Sequence, residues 1–66
     1  MEIKVSEKIK AALSTYMWDL SEIEAVLPTI FPNAKCIQIV ECDNHYITLI
    51  VDDKRYLLDV EGQVWR

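Results

Sequence analysis

Apolar residues fall at helical spacing in the first half of the chain and at strand spacing in the second. Ile9, Leu13, Tyr16 and Leu20 recur at intervals of four, three and four, with Ala12 and Met17 alongside, which is the stripe of an amphipathic helix. Ser6 precedes the stripe and has the side chain of an N-cap, so a helix is predicted from there to about Trp18. Ser21 and Glu24 then form an S-x-x-E capping box, in which hydroxyl and carboxylate reciprocally satisfy free N–H groups at a helix start. The second helix is expected to be short, with Ile23, Val26 and Leu27 inward. Pro28 disfavours helical geometry at the residue before it, leaving at most one further turn over Thr29 to Phe31 before Pro32-Asn33 reverses the chain.

From Lys35 the period changes to two, and three turn signals divide the remainder: Asp43-Asn44, Asp53-Lys54 and Glu61-Gly62. Treating each as a two-residue hairpin sets a register, because directly opposed residues share a face. One face then collects Cys36, Val40, Ile47, Leu49, Val51, Tyr56, Leu58, Val60 and Trp65, and is the side the helices should cover. The predicted fold class is α+β: an N-terminal helix and a short second helix packed on one face of a 3-4-stranded antiparallel β-meander. It is read as one domain over 1–66, with a helical half at 1–34 and the meander at 35–66.

The opposite face opens with a charged row of Lys35, Asp52 and Arg55. Ile37, Ile50 and Leu57 follow, then Ile39, Thr48 and Asp59, with Tyr46 opposite Glu41. An aliphatic band therefore crosses the face that should be solvated, and a contiguous exposed apolar patch marks an interaction site. Two other outcomes fit the same residues. Ile3 and Val5 alternate like a short strand that would cover the band from within, and a one-position slip of a strand would turn it inward.

Composition narrows the function more than it defines it. The 66 residues hold one small core, 52% of them are apolar, and the net charge is −4. Direct nucleic-acid binding needs clustered Lys and Arg, whereas Lys4, Lys8 and Lys10 are interleaved with Glu2 and Glu7. No stretch approaches a membrane span or a secretory signal, so no membrane partner is expected and the cytoplasm is the expected compartment. Cys36 and Cys42 end one predicted strand, roughly 20 Å apart at strand rise, too far for a disulfide.

Cys42, Asp43 and His45 gather at the first turn as a conceivable nucleophilic or zinc site. A nucleophile needs a base, an orienting group and a pocket, and a closed zinc site needs four ligands. A tight hairpin provides neither. No phosphate loop, H-E-x-x-H or G-x-S-x-G occurs. Catalytic, cofactor and metal residues are therefore expected to be none, and the chain is not read as an enzyme.

Phe31-Pro32-Asn33-Ala34-Lys35, the strands through Tyr46-Ile47 and Tyr56-Leu57, and the closing Asp59-Val60-Glu61-Gly62-Gln63-Val64 resemble the second half of small PepSY-like domains. That resemblance implies a helix against an antiparallel meander and a regulatory or inhibitory binding role. It covers about half the chain and brings no functional residues with it.

The leading expectation is a non-enzymatic module that binds a protein partner or itself. It would use the outer sheet face, centred on Ile37, Ile50 and Leu57 with Ile39, Tyr46, Asp52 and Arg55 around them, or the open edge of the last strand. An alternative is an acidic nucleic-acid mimic of the kind found in phage and mobile elements, using Glu22, Glu24, Asp43, Asp53 and Glu61. A thiol or metal module built on Cys42 and His45 comes third.

Overall fold

The computed structural model describes residues 1–66. A strand β1 (Glu2–Val5) leads into helices α1 (Glu7–Thr15) and α2 (Leu20–Ile30), followed by strands β2 (Cys36–Cys42), β3 (Tyr46–Val51), β4 (Lys54–Asp59) and β5 (Val64–Trp65). The five strands form one sheet in the order β1-β2-β3-β4-β5. The α+β class is as expected, but the sheet is mixed: β1 runs parallel to β2, and the other neighbours are antiparallel. A parallel pair needs a long crossover, and the two helices supply it. Ile3 and Val5 thus extend the sheet sideways, opposite Ile37 and Ile39, and do not lie over its outer face.

Ser6 caps α1 as expected, its hydroxyl accepting from the Ile9 N–H at 3.2 Å. The helix stops at Thr15, earlier than its apolar stripe suggests. The Trp18 N–H reaches back to the Leu13 carbonyl (2.8 Å) and the Met17 N–H to that of Ser14 (3.1 Å), the paired bonds of a Schellman ending. That ending puts one residue in left-handed geometry, and here it is Met17, at φ 63°. Its side chain is 91% exposed.

The Ser21/Glu24 capping box is not used. Asp19 caps α2 instead, its carboxylate accepting from Ser21 N–H at 2.9 Å and Glu22 N–H at 3.4 Å. Pro28 lies inside α2 rather than ending it. Its missing N–H costs one helical bond, while Leu27, buried completely in the core, and a 2.6 Å bond from the Thr29 hydroxyl to the Val26 carbonyl hold the last turn.

Leu13, Ile23 and Leu27 from the helices pack on Ile37, Ile39, Ile47, Leu49, Val51 and Leu58 of the sheet in one core. Both helices therefore cover the same face.

The register explains which expectations survive. The first two turns sit one residue from their predicted places. Asn44-His45 is the tip of the β2–β3 turn, closed by the Asp43 N–H on the Tyr46 carbonyl, and Asp52-Asp53 links β3 to β4. Moving a two-residue turn by one position shifts opposed pairs by two, and faces are unchanged. Ile47, Leu49, Val51, Tyr56 and Leu58 accordingly face the helices as expected. Asp52 and Asp53 both take positive φ (46° and 72°), the requirement of a type I′ turn.

Two odd irregularities do flip faces. A bulge in β2 lets Ile39 oppose Leu49 while Glu41 opposes Thr48, so Val40 is an extra residue. Ile37 and Ile39 turn inward as a result, at 0% and 3% exposure, and Val40 turns outward. Beyond Asp59, a three-residue loop of Val60, Glu61 and Gly62 (φ 81°) replaces the predicted two-residue hairpin. It pairs Leu57 with Trp65 and Leu58 with Val64, sending Val64 in and Trp65 out.

Candidate functional site

The core and both helices lie on one face of the sheet, and the opposite face carries no helix. One cross-strand row runs Lys4, Gln38, Ile50, Arg55. The next runs from Glu41, with bulged Val40 beside it, through Thr48 and Leu57 to Trp65. Tyr46 and Asp59 form a third. Thr48 sits at the centre and is only 9% exposed although no helix lies over it.

Of the residues expected to form a binding face, Ile50, Leu57, Tyr46 and Arg55 are on it. Ile37 and Ile39 are not, since the bulge commits them to the core. Asp52 is at the rim, but its task is structural: one carboxylate oxygen accepts from the Lys35 and Cys36 N–H groups at 3.1 and 3.0 Å, and its own N–H donates to the Cys36 carbonyl. The expected charged row of Lys35, Asp52 and Arg55 is thereby replaced. Asp52 holds the backbone at Lys35, and Arg55 lies opposite Ile50.

Trp65 and Val40 are the outer-face residues that the two-residue-hairpin reading missed. Trp65 is 51% exposed, and its indole N–H donates to the Asp59 carboxylate at 2.9 Å, which fixes the ring over the sheet. Both had signals in the chain. Gly62 is suited to the left-handed position that closes a three-residue hairpin loop. Gln38 and Glu41, two polar residues three apart in one strand, can share the wet face only if an odd residue is inserted between them.

Three turn aspartates share one chemistry. Asp43 accepts from the His45 and Tyr46 N–H groups at 2.7 and 2.8 Å. Asp59 accepts from Glu61 and Gln63 N–H as well as from Trp65. Each carboxyl is held below its ordinary pKa: Asp43 and Asp52 chiefly by their backbone N–H donors, Asp59 chiefly by the Trp65 indole.

The Cys42, Asp43 and His45 cluster lacks the electronics of a nucleophile. Burial pushes the Cys42 thiol up, and the charges of Asp43 and Glu41 push it further, whereas a reactive thiol needs its thiolate favoured. Asp43 spends one carboxylate oxygen on the turn, and its carbonyl accepts the Trp18 indole N–H at 2.7 Å. The acidic residues are also divided. Asp43 flanks one turn and Glu61 lies in another at the same end of the sheet, Asp53 is in the turn at the other end, and Glu22 and Glu24 are on α2.

No helix is long and apolar enough to cross a membrane. No family model, curated protein or solved structure matches this chain.

Proposed function

We propose that this chain is a non-enzymatic protein-binding module, regulatory, inhibitory or accessory in role, that works through the uncovered face of its sheet. The observation that carries this reading is the apolar row Val40, Leu57 and Trp65 around Thr48, flanked by Ile50 and Tyr46, on the side no helix covers. Trp and Tyr are the residues that dominate interface energetics, and the Asp59 bond orders the indole before any partner arrives, which lowers the entropy lost on association. Glu41, Arg55, Lys4 and Asp59 supply a rim of both signs, the distribution expected around an apolar centre.

The partner that fits is the flat apolar surface of another protein or the same face of a second copy. Ile50→Asp places a charge in the patch without touching the core. In a folded variant, loss of self-association by light scattering across a concentration series, or of partner capture from host extract, is the expected result. Unchanged association would remove this face from consideration.

A further inference from the structure

β1 ends the sheet on one side, and half of its backbone is left without a strand to bond. In a parallel ladder both polar groups of a residue point to the same neighbour, and successive residues point opposite ways. The Glu2 N–H donates to the Lys35 carbonyl at 3.0 Å, so Glu2 and Lys4 are turned toward β2, and Ile3 and Val5 toward the open edge. No turn or loop hydrogen bond reaches those two residues. The side chains alternate with the same period but by face. Glu2 and Lys4 are exposed, while Ile3 is half-buried at the margin of the core.

We propose that β1 pairs antiparallel with β1 of a second copy of this chain, about a twofold axis at Ile3. In that register Ile3 exchanges both of its free backbone groups with Ile3 of the second copy. Glu2 then opposes Lys4 and Lys4 opposes Glu2 across the axis, as a twofold contact requires. Both charge pairs fall at non-hydrogen-bonded positions, where opposed residues come closest. Moving the register by two residues either way keeps the faces but sets Lys4 against Lys4 or Glu2 against Glu2, and like charges directly opposite are destabilising. Of these three registers only the one centred on Ile3 makes the order glutamate, isoleucine, lysine its own complement. The approach of Lys4 to Glu2 within one chain does not consume either charge. They stand 4.0 Å apart with side chains 53% and 66% exposed, and in the pair they join one ring of four charges alternating in sign. An edge of four residues makes a small contact and hence a weak dimer. The inference does not depend on the patch of Val40, Leu57 and Trp65.

The test uses the full chain, carried to millimolar concentration in sedimentation equilibrium and in amide hydrogen exchange by NMR. A dimer is expected, and exchange at the Ile3 amide should slow as concentration rises, while the Lys4 amide, already bonded to β2, should not change. Lys4→Glu and Glu2→Lys, both at exposed positions off the core, should each weaken the dimer about tenfold. Mixing the two variants should restore it as a heterodimer, because every cross-strand pair is again opposite in sign. Ile50→Asp should leave the Ile3 protection in place, so failure of this contact and failure of the outer face read separately. The proposal is overturned if the chain is monomeric throughout, if the Ile3 amide does not slow, if the mixed variants form no heterodimer, or if Ile50→Asp abolishes the protection at Ile3.

Discussion

Met17 shows how much a single backbone angle can tell. The Schellman ending of α1 demands left-handed geometry at this position, which costs an L residue roughly 1–2 kcal/mol and glycine almost nothing. With its side chain 91% exposed, methionine recovers little by packing. Met17→Gly is therefore expected to stabilise the protein, by about 0.5–1 kcal/mol after glycine's greater freedom in the unfolded chain is subtracted. Urea denaturation would show it as a higher midpoint at unchanged slope. Gly62 is the converse case. Its φ of 81° is strained for any side chain although a Cβ there would meet nothing within 4 Å.

At the scale of elements, parity decides what could be read from the chain. Helix existence followed from the spacing of Ile9, Leu13, Ile23 and Leu27, and the central hairpin kept its predicted faces because its turn moved as a unit. The flanking strands were not legible from alternation alone, since one bulge and one three-residue loop each invert everything beyond them. Two of the seven expected face residues were put on the wrong side for that reason, since Ile37 and Ile39 went to the core, and Trp65 came out of it. The parallel pairing of β1 was also hidden, because nothing local distinguishes a short edge strand from a strap across the sheet. The bulge has an energetic consequence that can be measured. Ile37→Ala should cost about 2–5 kcal/mol, whereas Gln38→Ala, one position along and facing solvent, should stay within about 0.5 kcal/mol. The reverse order, with Gln38→Ala the costlier change, would mean that β2 carries no bulge.

For the whole molecule, the margin is thin, since 66 residues support a folding free energy of roughly 3–10 kcal/mol. Aspartates at the turns on both ends of the sheet contribute to it while ionised. Asp43, Asp52 and Asp59 are held below their ordinary pKa in the folded state, so the unfolded chain takes up protons first as the solution is acidified. Their contribution is complete above about pH 4, the unfolded value, and is lost as pH falls through the lower folded values. Thermal melting followed from neutral pH downward should show stability declining below that point, and Asp52→Asn, which keeps the acceptor oxygen, should flatten the decline. The placement of the two thiols bears on handling the protein as well. Cys36 and Cys42 occupy opposite ends of β2, so oxidation cannot close a ring within one chain. Any disulfide must join separate molecules, and because Cys42 packs against the core while Cys36 does not, air oxidation would couple chains in pairs through Cys36, which a reductant returns to single chains.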